Sequence, residues 1–145
     1  MKIVFVCTGN TCRSPMAEAI LASKEIEGIE VRSAGVFAGS SPISKNAGAV
    51  LEEQGIEFDH TSRPLSPEEL EWADIVLTMT LSHKQLIRQQ HPHVSDKLFT
   101  LKEYVTGSVE DVSDPYGGSY SVYQQTFDEL HELIGRLEEK LLQEK

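Results

Sequence analysis

The chain carries little that would tie it to a membrane, an oxidising compartment or a nucleic acid. It has two cysteines in 145 residues, Cys7 and Cys12, and they sit five positions apart, unlike the spaced set of a disulfide-stapled secreted domain. No stretch approaches the ~20 consecutive apolar residues of a membrane-spanning helix, and the N-terminus enters a strand pattern without the blocks of a signal peptide. A cytoplasmic protein with no membrane partner is expected. Positive charge is scarce too: 13 Lys and Arg against 23 Asp and Glu leave a formal net charge of −10, the wrong sign for a protein that grips nucleic acid through its phosphates. The five histidines, His60, His83, His91, His93 and His131, show no metal-ligand spacing, so solvated or capping roles are expected and no metal or cofactor is implied. No repeat, low-complexity tract or linker divides the chain. One domain over residues 1–145 is the simplest organisation, with enough chain for one core and too little for two.

What is present is an alternation of strand and helix signals. Lys2 to Val6 is a continuous apolar strand, and helix formers follow from Ser14 to about Glu27 with Met16, Ile20 and Leu21 on one side. Glu30 to Ala34 reads as a second strand and Ser44 to Gln54 as a helix stopped by Gly55. Ser66-Pro67-Glu68-Glu69 has capping-box spacing with proline in the first turn. Asp74 to Met79 is a third strand, Ser82 to Gln90 a helix ended by Pro92, and Lys97 to Leu101 a fourth strand. The last helix, about Tyr120 to Gln143, lines up Tyr123, Phe127, Leu130, Ile134, Leu137 and Leu141 as a core-facing stripe. Trp72, between a helix and a strand, is expected to pack in the core. Short apolar strands separated by amphipathic helices predict an α/β fold, a parallel twisted sheet covered on both faces.

Where the first strand stops, the chain reads Cys7-Thr8-Gly9-Asn10-Thr11-Cys12-Arg13-Ser14-Pro15. A thiol with a pKa near ~8.5 must become a thiolate to attack. A loop that turns its amides inward just before a helix N-terminus supplies partial positive charge for a thiolate and a phosphate alike. Gly9 and Asn10 tolerate the backbone conformations such a loop needs. Arg13 offers a permanent cationic fork to phosphate oxygens. Ser14 can donate to Cys7 or cap the helix, and Pro15 fits the first turn. The Walker A pattern is absent, and a cysteine stands in the nucleophile position. Cys12 is not required by this chemistry; it either fills apolar space or pairs with Cys7 under oxidation, protecting it from irreversible over-oxidation.

A thiolate can displace a phosphoryl group only if the departing atom is protonated. The loop from Gly107 to Ser119 carries Glu110, Asp111 and Asp114, and Asp114-Pro115-Tyr116 is the strongest candidate. Proline stiffens the backbone after the carboxylate, and Tyr116 is expected to wall the cleft and keep water from the acid.

With Val6 to Pro15, Ser33-Ala34-Gly35 and Asp114-Pro115-Tyr116 in this order, the chain resembles the low-molecular-weight protein tyrosine phosphatase family nearly end to end. The resemblance implies a four-stranded parallel sheet with helices on both faces, the phosphate-binding loop after the first strand, and no cofactor. It implies that Cys7 is the nucleophile and forms a phosphocysteine, and that Arg13 and the amides of Thr8, Gly9, Asn10, Thr11, Cys12 and Ser14 hold the phosphoryl oxygens. It further implies that Asn10 and Ser14 support the loop and the thiolate, and that Asp114 serves first as acid and then as base.

The sequence departs from the tyrosine-directed pattern at Thr11, where those members usually carry a bulky aliphatic residue. It departs again at Gly117 and Gly118, where a second aromatic often follows, and in Val36-Phe37-Ala38-Gly39, which lacks a common tryptophan. These features are similar to the protein arginine phosphatase branch, in which threonine in the loop marks selectivity for phosphoarginine. Phosphorylated proteins are the expected partners, phosphoarginine is favoured over phosphotyrosine, and a monomer is expected. A thiol-dependent arsenate reductase would need further cysteines beyond Cys12, and a non-catalytic phosphoprotein-binding module would not need both Cys7 and Asp114.

Overall fold

The computed structural model describes residues 1–143; the end of the expected 1–145 domain, residues 144 and 145, lies outside the described residues. The strands are β1 (Lys2–Cys7), β2 (Glu30–Gly35), β3 (Ile75–Thr78) and β4 (Leu98–Thr100). The helices are α1 (Arg13–Ser23), α2 (Lys45–Glu53), α3 (Pro67–Trp72), α4 (Leu81–Gln90), α5 (Leu101–Thr106) and α6 (Tyr120–Gln143), with a 3-10 turn over Pro92–Lys97. The strands pair in parallel in the order β2-β1-β3-β4.

The alternation of side chains along β1 decides what covers each face. Ile3, Phe5 and Cys7 join the larger apolar cluster with residues of α1, α2, α5 and α6, while Val4 and Val6 face Leu70, Ile87, Val94 and Leu98 on the other side. Burial on both faces is why β1 reads as an unbroken apolar run rather than an alternating one. The six residues expected to form the α6 stripe are all buried. Trp72 is half-buried against the smaller cluster, with the Arg32 guanidinium stacked 4.0 Å from its ring centroid.

The main departures from the sequence expectation are two boundaries and one cap. Helix α1 stops at Ser23 instead of near Glu27, because Glu25 (φ 48°) and Gly28 (φ 82°) turn the chain out of the helix. Leu101 belongs to α5 and not to a strand: Thr100 accepts from the Glu103 amide and the Glu103 carboxylate accepts from the Thr100 amide, a full capping box that ends β4. At Ser66 only half of the box forms, since Glu69 turns to Arg32 and Arg63.

Candidate active site

Strand β1 lies between β2 and β3; the connection leaving β1 runs through α1 to β2 and the one leaving β3 runs through α4 to β4, so the two diverge. That leaves a crevice at the carboxyl end of β1, the place where ligands bind in open parallel sheets. Residues 8–12 wrap through this crevice before Arg13 begins α1. The loop's carbonyls are tied to the body of the protein. Cys7 accepts from the Val36 amide (3.0 Å), Thr8 from Phe37 (2.9 Å), Thr11 from Ser44 (2.9 Å) and Cys12 from Met16 (3.1 Å). The Asn10 carbonyl lies 2.8 Å from His60 Nε2; a carbonyl only accepts, so that nitrogen carries the proton. With Asn10 in the left-handed region (φ 57°), the opposite edge of the loop is a run of amides from Thr8 to Ser14 that donate to no backbone carbonyl among the described residues. Such a run, at the start of a helix, favours an anion.

Behind the loop the polar side chains form a chain whose hydrogen-bond directions can be assigned. Asn10, fully buried, spends its two Nδ2 protons on Ser14 Oγ (2.8 Å) and Ser33 Oγ (2.9 Å), and its Oδ1 accepts from the Arg63 amide (3.0 Å). Because Ser14 Oγ already accepts from Asn10, its own proton is available to Cys7 Sγ at 2.9 Å. Ser33 likewise passes its proton to Glu18 Oε1 at 2.5 Å, and burial holds the Glu18 carboxyl above its ordinary range against the opposing pull of Ser33, His60 and Arg63. The Cys7 sulfur therefore has an oriented donor beside a helix start. The Ser33-Ala34-Gly35 stretch thus has a physical reason. Ser33 anchors Asn10, and Gly35 must lack a side chain, since a Cβ there would lie 2.5 Å from the Thr8 carbonyl oxygen.

Cys7, Thr8, Gly9, Thr11, Cys12, Arg13, Asp114 and Tyr116 line a single pocket of about 250 Å³. Arg13, 5% exposed, is aimed by a bond from Nη1 to the Val112 carbonyl (3.1 Å), and its Nη2 stands 3.6 Å from Asp114 Oδ2. A cysteine sulfur, a buried guanidinium and a carboxylate therefore share one cavity beside the amide run, the set of groups that phosphoryl transfer to and from sulfur would need. A model of the family described as low molecular weight phosphotyrosine protein phosphatase matches residues 2–145. The chain belongs to that family.

Among its relatives, this phosphatase is 52% identical over 145 residues to a protein-arginine-phosphatase of Geobacillus stearothermophilus, covering 99% of this chain and 98% of the relative. The structure of the YwlE arginine phosphatase from the same organism superimposes with a TM-score of 0.97 at 51% identity, covering 99% of this chain and 94% of that one. A YwlE mutant with a phosphorylated active-site serine superimposes at a TM-score of 0.94 and 54% identity, covering 97% and 95% of the two chains.

Of the residues singled out from the phosphatase sequence, the eight above meet in the pocket, while Asn10 and Ser14 lie behind the loop as its support. Two expectations need correction. Tyr116 lines the pocket but is 82% exposed, and the Asp114 side chain is 58% exposed, so the ring does not keep water from the carboxylate; Tyr116 instead gives its amide to Asp114 Oδ1 at 3.0 Å. Histidines assigned to solvated or capping roles touch the loop: His60 through Asn10, and His83, which is buried with Nε2 2.8 Å from Thr8 Oγ1. Burial, and then the charge of Arg13, push the His83 imidazole down to about 4, so the ring is neutral. Neither histidine could be assigned from local spacing, because their partners lie 50 and 75 positions away. Cys12 does not merely fill apolar space: its Sγ meets Tyr123 OH at 3.3 Å and Ser44 Oγ at 3.4 Å, and both cysteines are free thiols.

Proposed function

We propose that this phosphatase removes the phosphoryl group from phosphoarginine in proteins. The observation that carries this reading is Thr11 on the pocket lining. Among the described residues its hydroxyl has only a weak partner, Cys12 Sγ at 3.7 Å, and so is available to a polar substrate group rather than to a phenyl ring. The names of the relatives reported above support the same reading.

In the first step the Cys7 thiolate attacks phosphorus. The S–P bond forms, the P–N bond breaks with its electron pair going to nitrogen, and Asp114 gives its proton to that nitrogen, so that arginine leaves with its usual positive charge. Arg13 and the loop amides hold the three phosphoryl oxygens throughout. In the second step Asp114, now a carboxylate, takes a proton from water as the water oxygen attacks phosphorus. The S–P bond breaks, and phosphate and the Cys7 thiolate result. The Asp114 carboxyl, 58% exposed and 3.6 Å from Arg13, is open to a leaving group that enters the pocket.

Phosphate release from matched phosphoarginine and phosphotyrosine peptides tests this. Wild type prefers phosphoarginine, and Thr11→Ile shifts the ratio of kcat/KM values toward phosphotyrosine by about tenfold or more, as expected when a hydrogen-bonding hydroxyl is exchanged for apolar surface. A wild-type preference for phosphotyrosine that the variant leaves unchanged makes the chain a tyrosine phosphatase instead.

A further inference from the structure

The chain segment 107–119 between α5 and α6 carries Asp114 without regular secondary structure. A short carboxylate that is 58% exposed goes where its backbone goes, so its aim depends on what fixes the two residues before it. Val112 is fixed by the sheet and by Arg13: its amide donates to the Met79 carbonyl (2.8 Å), its carbonyl accepts from Arg13 Nη1 (3.1 Å), and its side chain is buried. Ser113 is fixed by α6. Its amide donates to Glu129 Oε1 at 2.9 Å, its hydroxyl donates to the same oxygen at 3.3 Å, and Thr126 Oγ1 lies 3.2 Å from that hydroxyl. The second Glu129 oxygen accepts from Lys102 Nζ of α5 at 3.3 Å, and Lys102 also stands 3.9 Å from Glu110 at the start of the segment.

From this arrangement we infer that Glu129 is a positioning residue for proton delivery by Asp114, holding Ser113 so that the next residue presents its carboxyl to the leaving group. The inference rests on the acid role given to Asp114 above. Glu129 is not among the residues of the pocket, so it acts through the backbone and not on the substrate. The residue type follows from the geometry. A carboxylate can accept the amide and hydroxyl of Ser113 on one oxygen and the ammonium of Lys102 on the other, tying α5, α6 and the acid's backbone together.

The test compares kcat/KM for p-nitrophenyl phosphate, whose leaving group departs easily, with that for phenyl phosphate, which needs its proton. This constant reports the step that forms phosphocysteine. Asp114→Asn is expected to lose far more on phenyl phosphate than on the activated ester. Glu129→Ala should repeat the split in weaker form, falling about tenfold on phenyl phosphate and less than about twofold on p-nitrophenyl phosphate, a fraction of what general acid catalysis supplies. Glu129→Gln, which retains an oxygen acceptor for Ser113, should recover most of the loss. The double variant should be no worse on phenyl phosphate than Asp114→Asn alone. A Glu129→Ala enzyme that loses equally on both substrates, or on neither, while Asp114→Asn shows the split, overturns the proposal and leaves the acid assignment standing. If Asp114→Asn itself loses equally on both, the acid assignment fails and this inference with it. Melting temperatures show whether Glu129→Ala remains folded; if it does not, Ser113→Ala, which removes the hydroxyl bond to Glu129, should show the same split in weaker form, and equal loss on both substrates or on neither overturns the proposal.

Discussion

Thr8 and His83 meet across 75 positions of chain, and their pairing says how the mouth of the phosphate loop is kept in place. The neutral imidazole is buried and its Nδ1 has no hydrogen-bond partner, so Nε2 against Thr8 Oγ1 is its one polar contact in the described structure. Leaving a ring nitrogen unpaired in the interior costs on the order of 1–3 kcal/mol, a cost that a packing role alone would not explain, since an apolar side chain would avoid it. The pairing is therefore expected to steady the Thr8 amide for a phosphoryl oxygen. His83→Ala and Thr8→Val should each raise the inhibition constant for inorganic phosphate about fivefold, and the double variant should be little worse than either, a coupling of about 1 kcal/mol. Gln at position 83, which can place an amide near the Nε2 site, should restore much of the affinity. Strictly additive losses would show that the two side chains act separately.

At the scale of elements, β2 is as much a part of the site as the loop it supports. The Gly35 amide is held by the Arg63 carbonyl at 3.0 Å, and a Cβ at Gly35 would also meet the Ala38 Cβ at 2.9 Å and the Asn10 amide nitrogen at 3.0 Å. Gly35→Ala must push loop backbone, not a flexible side-chain tip, so a destabilisation of about 1–3 kcal/mol is expected together with a raised KM, read from urea unfolding and from kinetics on the same preparation. An unchanged KM would mean that the strand can shift without moving Thr8. Elements with a strong period were legible in the sequence: β1 because it is buried on both faces, α6 because its stripe repeats every three or four residues, the start of α1 because Ser14 and Pro15 mark it. Helix α5 was not, because Leu98 to Leu101 continues the apolar strand pattern across the Thr100 and Glu103 box that starts the helix. The pocket's lining was legible because its chemistry is local in the chain, from Cys7 to Arg13 and at Asp114 to Tyr116. Its support was legible only in part: Ser33 stood in a motif without an assigned partner, and Glu129 and His83 reach the site through contacts that no local spacing encodes.

For the whole molecule, the question is how stability follows pH when buried groups pull in opposite directions. His83 ordinarily titrates at 6.5 and is pushed down to about 4 in the folded protein, first by burial and then by Arg13, against the weaker attraction of Asp111 and Asp114. As pH falls below 6.5 the unfolded chain takes up a proton that the folded chain refuses, so folding weakens through the window from 6.5 down to about 4 and no further below it. Glu18 acts in the other sense. Its carboxyl is raised above 4.5 by burial, so as pH falls toward that value the folded state binds a proton before the unfolded state does, and folding is favoured. Glu103, lowered by the hydrogen bond from Lys84, adds a loss only below 4.5. Between pH 7 and 5, then, His83 and the partly buried Glu18 oppose each other, and replacing one exposes the other. Urea unfolding of His83→Gln at both pH values should show a smaller loss on acidification than wild type, or a gain, because only the Glu18 contribution remains. Glu18→Gln should show the reverse, a steeper loss than wild type. Parallel profiles for all three proteins would mean that the acid sensitivity lies in the many exposed carboxylates and not in these two sites.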